Sequence, residues 1–377
     1  MGFPIDTGRN ELRIGHVARY LIVGNLSKEQ TPDIKQPWDI RIFFNHPEAE
    51  FLNSGPGPDI FAKQARPTRE ILADVRRQAY DLIILGNTFY PAFNPRKGWW
   101  RNVANYTKDI FRNPNRLAGA FFKHRRVGTP LVGVDMEDSP IVDNSRFSVL
   151  GQSVCYFKRE LAQNPCNAFL YTTSKTQCNG NVLRQKFFQE AIPKLRPISI
   201  GVDDETCRCL LKYQVAKKVD VFFSGDCTDR INRQRGLLQL EQLKREGYAI
   251  DIVHERLSRE EFLLRCAQAH IVWSPEGFGW DCFRHYEVAL VGSVPLMQVP
   301  PIYRHAPLVE DVHGLYYFVE NDHLAVRVRK ALLDRSRLVE MGVAARKHVL
   351  EWHTLGALSR YVIQESRETL AKSRGTA

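Results

Sequence analysis

The feature that most constrains this chain is a repeated alternation of short apolar runs with amphipathic or polar stretches. Apolar runs of this length are typical of strands buried on both faces, and such strands joined by helices form parallel sheets. In the first half, residues 19–24, 39–44, 80–85 and 130–134 predict strands, and residues 68–77 predict a helix with one apolar face. The first half therefore predicts a mainly parallel α/β domain.

The second half of the chain repeats this rhythm more clearly. Ser258 and Glu261 have the spacing of a capping box at the start of one helix. Two long stretches near the end, residues 325–351 and 357–372, predict helices with charged outer faces. The predicted strands are residues 219–225, 248–253, 270–274 and 294–299, and the predicted helices between them are residues 234–246, 258–269 and 281–290. This succession of βα units predicts a second doubly wound domain.

A chain of 377 residues is longer than one ordinary hydrophobic core supports, so two domains are expected. The stretch around residues 197–205 separates the two series of strands. We therefore expect two Rossmann-like doubly wound α/β domains that face each other across a cleft. Their expected bounds are residues 1–200 and 201–350, followed at 351–377 by a helix that packs back on the N-terminal domain.

The net charge of +11 and the pI near 9.3 indicate an anionic partner. Nucleoside diphosphates, acidic lipid surfaces and nucleic acid all fit this charge, which does not choose among them. No RNA-recognition, KH or zinc pattern is present, so nucleic acid is not the expected partner. The eight cysteines contain no C-x2-C pair, which favours free thiols in a reducing compartment.

The sequence also bears on location. No run of about 18 apolar residues occurs, and the start of the chain lacks the apolar segment of a secretory signal. We therefore expect a cytoplasmic protein. Two basic-aromatic clusters, at residues 96–101 and 123–126, leave open a peripheral contact with the inner face of a membrane.

The most informative stretch is residues 274–296. A predicted strand ends at Ser274, a glycine-bearing loop follows, and a helix begins soon after. In an open parallel sheet, ligands collect beyond the carboxyl ends of the strands. Gly277 and Gly279 allow a close approach of the backbone, and the amides of a helix N-terminus can bind phosphate oxygens.

Side chains in the same stretch have the chemistry of a nucleotide-sugar site. Glu276 in the loop and Glu287 in the helix can each accept hydrogen bonds from neighbouring sugar hydroxyls. Arg284 can bind a phosphate through two parallel hydrogen bonds. Phe278 is placed either to contact the base or sugar or simply to pack the loop. The pattern predicts a donor-binding loop, in which Glu276 is also a candidate catalytic residue.

This stretch resembles the donor-binding signature of GT-B glycosyltransferases, especially their group-1 and exostosin-like branches. In that signature an S-x-E-G-[FY]-G-like loop is followed by a helix that carries a glutamate, and then by G-x-V-P. The matching positions are Ser274, Glu276 to Gly279, Glu287, Gly292, Val294 and Pro295. The common group-1 pattern places the second glutamate eight residues after the first, whereas Glu287 follows Glu276 by eleven. The resemblance implies that Glu287 binds ribose, but it does not carry over a sugar-facing role for Glu276 or a stereochemical outcome.

A second match concerns the first strand of the C-terminal half. Group-1 enzymes end this strand with a glycine, followed by an arginine and, five residues later, by Lys-Gly. Here Gly225 is followed by Arg230 and then by Arg235 and Gly236. The resemblance implies that both cations face the diphosphate and replace a metal ion. Arg230 lies five residues beyond Gly225 rather than next to it, so Arg233 is a rival for the same role.

In the N-terminal half, Asp135, Glu137 and Asp138 follow a predicted strand. An inverting transferase needs a general base that takes the proton of the acceptor hydroxyl. Asp135 is our first candidate for that base, with structural capping of the loop as the alternative. Lys158 and Arg159 are weaker candidates for contacts with the acceptor.

These features together predict a metal-independent glycosyltransferase of polysaccharide biosynthesis, which moves a sugar from a nucleotide-sugar donor to a hydroxyl of a glycan or lipid-linked acceptor. No cofactor is expected, because the nucleotide sugar is a substrate. A nucleotide-sugar epimerase of the same fold and a basic nucleic-acid-binding protein stay open as alternatives. A dehydrogenase is disfavoured because no G-x-G-x-x-G follows a first strand.

Overall fold

A computed structural model describes residues 20–24, 49–53, 68–86, 128–142, 146–169, 185–213, 215–228 and 231–375. The chain divides into two compact units. The N-terminal unit comprises Met1–Ile198 together with Ser359–Ala377, and the C-terminal unit comprises Ser199–Leu358. Each unit is built on a parallel sheet of its own.

The N-terminal unit has six parallel strands within the described residues, in the order β2-β1-β3-β4-β5-β6. The strands are β1 (Tyr20–Gly24), β2 (Ala49–Asn53), β3 (Leu82–Leu85), β4 (Leu131–Asp135), β5 (Ser153–Lys158) and β6 (Leu195–Pro197). The helices are α1 (Thr68–Arg76), α2 (Phe147–Gln152) and α3 (Gln185–Ala191), with 3-10 turns at Pro165–Phe169 and Ile192–Lys194.

The C-terminal unit has five parallel strands within the described residues, in the order β11-β10-β9-β7-β8. The strands are β7 (Val219–Ser224), β8 (Ile250–Val253), β9 (Ala269–Ser274), β10 (Val294–Gln298) and β11 (Leu315–Tyr317). The helices are α4 (Asp204–Leu210), α5 (Ile231–Arg245), α6 (Arg259–Gln268), α7 (Phe283–Leu290), α8 (His323–Leu332), α9 (Arg335–Trp352) and α10 (Leu355–Gly375).

Apolar side chains of the C-terminal sheet fill a core on both of its faces. Neighbouring residues of a strand point to opposite faces, so Phe222 packs in one cluster and Phe223 in the other. The first cluster includes residues of α6 and α7, and the second includes residues of α5 and α8. Helix α5 approaches β9 so closely that a Cβ on Gly236 would lie 2.2 Å from the Trp273 ring. Glycine at this position is therefore a packing requirement.

The strand order confirms the predicted fold class. In the N-terminal sheet β1 lies between β2 and β3, and in the C-terminal sheet β7 lies between β8 and β9. In each sheet the second strand is added on one side of the first strand, and the later strands are added on the other side. This order defines a doubly wound sheet. Both units are Rossmann-like α/β structures.

The structure also differs from the sequence-based elements. The single helix expected at residues 325–351 is two helices, α8 and α9, because Asp334 interrupts it and accepts a hydrogen bond from the Arg337 amide at 3.0 Å, as an N-cap. Strands β2, β5, β6 and β11 were not predicted. The strand predicted at residues 39–44 lies outside the described residues.

Helix α10 ends in the N-terminal unit, to which its residues belong from Ser359 onward. The Tyr361 ring meets Phe157 of β5 edge-on, with centroids 5.4 Å apart. Glu365 accepts a hydrogen bond of 2.6 Å from Arg196, which lies in β6. The helix therefore packs on the last two strands of this sheet. None of the helices in the described ranges is long and apolar enough to cross a membrane.

Candidate functional site

The C-terminal unit has its topological switch point between β7 and β9. Chain connections leave these two neighbouring strands in opposite directions, which opens a crevice beyond their carboxyl ends, where doubly wound sheets bind ligands. Strand β7 ends at Ser224 and is followed by Gly225, and β9 ends at Ser274 and is followed by the loop at residues 275–282. The structure thus brings the two predicted glycine-bearing segments to the same crevice.

Gly277, Phe278 and Gly279 form a tight turn in this loop. The Gly277 amide donates a hydrogen bond of 2.8 Å to the Gly279 carbonyl, and Phe278 at the tip is 89% exposed. The loop is fixed further along by Trp280, whose Nε1 donates to the Gln298 carbonyl at 2.9 Å. An exposed aromatic ring thus stands on a loop whose base is anchored.

Ser274 is fully buried, and its hydroxyl lies 2.7 Å from Nδ1 of His285. The other ring nitrogen, Nε2, lies 2.9 Å from the Trp280 carbonyl, which can only accept, so Nε2 carries the hydrogen. Nδ1 therefore accepts from the Ser274 hydroxyl. Burial lowers the pKa of His285 to about 4, which keeps the ring neutral. Ser274 thus fixes the end of β9 to α7 through the hydrogen bond of its hydroxyl with His285.

Arg233 joins the two loops at the switch point. Its side chain is buried, and Nε and Nη2 donate to the Glu276 carbonyl at 3.0 and 2.6 Å. Nη1 donates to the Asp226 carbonyl at 2.7 Å. Because these contacts occupy all three nitrogens, Arg233 acts first as a brace between the loops, and its charge reinforces the positive potential there.

The Glu276 side chain is half-buried and accepts a hydrogen bond of 3.1 Å from Asn232. Asn232 is the second residue of α5, directly before Arg233. The carboxylate of Glu276 is therefore held at the start of that helix, next to the crevice. Sequence reasoning missed Asn232, although its place beside Arg233 was a usable signal.

Arg284 is the second residue of α7 and lies against the start of the other loop. Its Nη2 would be 3.1 Å from a Cβ on Gly225, and its guanidinium lies over the Phe223 ring at 5.7 Å. Nη1 is buried and has no hydrogen-bond partner in the described part of the chain. The N-cap of this helix, Cys282, makes no side-chain capping bond. Because a buried cationic donor without a partner is costly, this corner of the crevice suits an anion.

Glu287 lies one turn further along α7 and forms an ion pair with Arg259 of α6, with Nη2 and Oε1 2.9 Å apart. The Glu287 side chain is 12% exposed and that of Arg259 is 44% exposed. Sequence reasoning did not identify Arg259, because a contact between residues 28 apart on different helices leaves no local pattern.

Arg235 and Arg230 are the two remaining cations predicted for the donor site. Arg235 is exposed on α5 and lines an open cavity of about 560 Å³ together with Glu320, Asn321 and Asp322. Within the described ranges, no hydrogen bond or ion pair connects it with the loop after β9. Arg230 lies outside the described residues.

Asp135, the residue predicted as general base, ends β4 in the N-terminal unit and is fully buried. Its carboxylate pairs with Lys158 at 3.1 Å and with Arg146 at 2.6 Å. It also accepts hydrogen bonds of 3.1 Å from the Tyr156 hydroxyl and the Glu137 amide.

These contacts decide the proton affinity of Asp135. Burial alone would raise its pKa, but Arg146 and Lys158 outweigh burial and lower the pKa to about 2. Such a carboxylate is a weak base, and Lys158, which is also fully buried, depends on it as a counter-ion. The geometry therefore favours the structural alternative for Asp135 over the base role. Lys158 likewise faces this carboxylate.

The other two carboxylates after β4 are more accessible. Glu137 is 27% exposed and pairs with Arg146, and Asp138 is 42% exposed and pairs with Arg159. Burial raises the pKa of Glu137 above its usual value, and the charge of Arg146 opposes this rise. The pKa of Glu137 is thus raised where that of Asp135 is lowered, which makes Glu137 the stronger base of the two.

No protein-family profile matches this sequence, and no curated protein matches it either. The structure is similar to that of a glycosyltransferase from Rickettsia africae, with a TM-score of 0.50 and 10% identity over 94% of this chain and 98% of that one. The chain has the GT-B fold.

Two further solved structures have lower scores. Sucrose-phosphate synthase from Thermosynechococcus elongatus has a TM-score of 0.44 at 11% identity, over 94% of this chain and 89% of that one. Anabaena HepE in complex with UDP-glucose has a TM-score of 0.41 at 13% identity, over 94% of this chain and 99% of that one.

Within this GT-B chain, the structure brings most of the predicted donor-binding residues to the end of β7 and β9 or to the helices that follow them. Gly225 and Arg284 are in contact, and Arg233 and Glu276 are hydrogen-bonded. Glu287 lies on the same helix as Arg284, with its own partner in α6. Arg235 stands apart from this group. In the described part of the chain, no cluster of three or more His, Cys, Asp or Glu side chains is arranged to hold a metal ion.

Proposed function

We propose that this protein is a glycosyltransferase that binds a nucleotide-sugar donor at the switch point of its C-terminal unit, with the diphosphate against Arg284 and the amides at the start of α7. The GT-B fold supports this proposal, since the likeness to the Rickettsia africae glycosyltransferase spans nearly the whole length of both chains. We extend the proposal to a glycan or lipid-linked acceptor, in keeping with the basic surface charge.

The observation that carries the proposal is the state of the Arg284 guanidinium. Within the described residues, Nη1 is buried without a hydrogen-bond partner, and Nη2 lies beside Gly225, the residue that follows β7. A side chain at position 225 would press against the guanidinium, because its Cβ would lie 3.1 Å from Nη2. A diphosphate would supply the missing acceptor and would place its negative charge at a helix N-terminus.

We further propose that transfer at this site needs no metal ion. During transfer, the bond between the anomeric carbon and the diphosphate oxygen breaks, and the electron pair of that bond leaves with the nucleoside diphosphate. A fixed cation and aligned amides stabilise this developing charge. The acceptor oxygen forms the new bond to the anomeric carbon, and its proton passes to a general base. No observation favours the epimerase or nucleic-acid-binding alternatives.

Calorimetry with UDP, GDP and ADP in the presence of EDTA tests this proposal. We expect the intact protein to bind one of them without a divalent cation. Loss of a charge-assisted hydrogen bond weakens binding by about 1.5–3 kcal/mol, so Arg284→Gln should reduce affinity about tenfold to a hundredfold. Arg265→Gln, at an ion pair on α6, is the matched control and should leave affinity unchanged.

Two results would count against the proposal. Binding that requires Mn²⁺ or Mg²⁺ would contradict the role of the cations, and unchanged affinity in Arg284→Gln would place the diphosphate elsewhere. Release of free sugar from a panel of nucleotide sugars, measured without acceptor, would then identify the donor and show whether Arg284 contributes to turnover.

A further inference from the structure

The ion pair between Arg259 and Glu287 connects the first turn of α6 with the middle of α7. Arg259 Nη2 donates to Oε1 of Glu287 at 2.9 Å. In the described part of the chain, the second oxygen of Glu287, Oε2, has no hydrogen bond. One oxygen of the carboxylate is therefore fixed, and the other is left to accept from a ligand.

The position of Arg259 is unfavourable for its own helix. It is the first residue of α6, where the positive end of the helix dipole disfavours a cation. The cap is supplied without it, because Ser258 accepts a hydrogen bond of 3.2 Å from the Glu261 amide. Arg265, in the last turn of α6, sits where the dipole favours a cation and pairs with Glu261 and Asp251. The placement of Arg259 is explained by its contact with Glu287 rather than by the stability of α6.

Glu287 also lies close to Arg284 on the surface of α7. The two residues are three apart in α7, so their side chains lie on the same face of the helix, about 5–6 Å apart at Cβ. In a nucleoside diphosphate the ribose is bonded directly to the first phosphate. A nucleotide whose phosphates lie at Arg284 therefore has its ribose within reach of Glu287.

We propose that Arg259 is a positioning residue that orients the Glu287 carboxylate, so that Oε2 accepts a hydrogen bond from a ribose hydroxyl of the donor nucleotide. This inference rests on the proposed function. A carboxylate held at one oxygen by a guanidinium presents the other oxygen in one direction, which lowers the cost of ordering it on binding. The pair then distinguishes ribonucleotides from deoxyribonucleotides.

Calorimetry with the nucleoside diphosphate that the protein binds most tightly, and with its 2′-deoxy and 3′-deoxy forms, tests this role. For the intact protein, we expect removal of one of the hydroxyls to weaken binding about tenfold, the equivalent of about 1.4 kcal/mol. Arg259→Gln should weaken binding of the ribonucleotide about three- to tenfold, a fraction of the worth of a hydrogen bond to a charged group. The same substitution should leave the affinity for the corresponding deoxynucleotide unchanged.

Three further proteins complete the design. Glu287→Gln should lose the same discrimination between ribose and deoxyribose, Arg259→Lys should keep part of it, and Arg265→Gln should keep all of it. Because Arg259 is 44% exposed, these variants are expected to fold, and thermal unfolding of each one checks this. The lysine variant also serves as the second test if the glutamine variant is unstable.

The outcomes separate the inference from the proposed function. Unchanged affinity in Arg259→Gln, or an equal loss for ribose and deoxyribose, would overturn the positioning role while leaving the donor site intact. An intact protein that binds nucleotides but does not distinguish the deoxy forms would also overturn it. An intact protein that binds none of the nucleoside diphosphates would remove both proposals.

Discussion

At the residue scale, Asp135 shows how burial among charged partners changes the chemical role of a carboxylate. It stands at the carboxyl end of β4, where a sequence-based prediction expects a base, and its position along the chain agrees with that expectation. Its surroundings do not, because Arg146, Lys158 and Tyr156 all face the same carboxylate. A carboxylate stabilised in its charged form by so many partners holds the loop after the strand.

We expect Asp135→Asn to destabilise the protein by about 3–5 kcal/mol, because it leaves the buried ammonium of Lys158 without its counter-ion. Urea denaturation measures this loss. Asp251→Asn is the control, since Asp251 and its partner Arg265 are 29% and 34% exposed and the loss of this pair should cost less than about 1 kcal/mol. Near-normal stability of Asp135→Asn combined with lost turnover would instead return Asp135 to the role of base.

The residues of the candidate site differ in how much of their arrangement can be predicted from neighbouring sequence. The position of Ser274, Glu276 and the two glycines at a strand end and in the loop after it could be predicted from the sequence, because strand, loop and helix follow each other directly. The partners of these residues could not. Whether the Ser274 hydroxyl faces the crevice or His285, and whether Glu287 is free or paired with Arg259, depends on packing between distant segments.

At the scale of elements, α5 and β9 meet at a single close contact. On a solvent-facing helix, replacement of glycine by alanine stabilises by about 1 kcal/mol. At Gly236 the sign should reverse, because the new Cβ would lie 2.2 Å from the Trp273 ring. We expect Gly236→Ala to lose about 1–3 kcal/mol of unfolding free energy through overpacking.

Guanidinium denaturation measures this effect, with Gln234→Ala as the control on the exposed face of the same helix. The control should be neutral or slightly stabilising. An increase in stability for Gly236→Ala would mean that α5 moves away from β9 at little cost.

Strands β7 and β9 could be predicted from the sequence because each contains a short uninterrupted apolar run, at residues 221–223 and 271–273. Strand β5 was missed because it ends in Lys158, a charge that becomes buried only through its pairing with Asp135. Strands β6 and β11 have three residues each, too few to define a periodicity. The break between α8 and α9 was missed because Asp334 acts as a cap only once the chain turns there.

At the scale of the whole molecule, the N-terminal unit is made from two stretches that are far apart in sequence. Removal of residues 359–377 would take away Tyr361 and Glu365, which contact Phe157 and Arg196. We expect this truncation to destabilise the N-terminal unit selectively. Hydrogen exchange should therefore accelerate at the amides of β5 and remain slow at those of β7 and β9.

Glu365→Gln is a control for the ion pair alone. Because Arg196 and Glu365 are 26% and 29% exposed, the cost of this substitution should stay below about 1 kcal/mol. Equal acceleration of exchange in both sheets after truncation would show that the helix supports the two units alike.

The discontinuous N-terminal unit has a consequence for synthesis on the ribosome. Domains generally fold as units while the chain emerges, from the N-terminus onward. Here the N-terminal unit lacks its α10 segment until residues 359–377 have left the exit tunnel. The C-terminal unit, residues 199–358, has all of its residues earlier, so of these two units the one whose synthesis starts first is completed second.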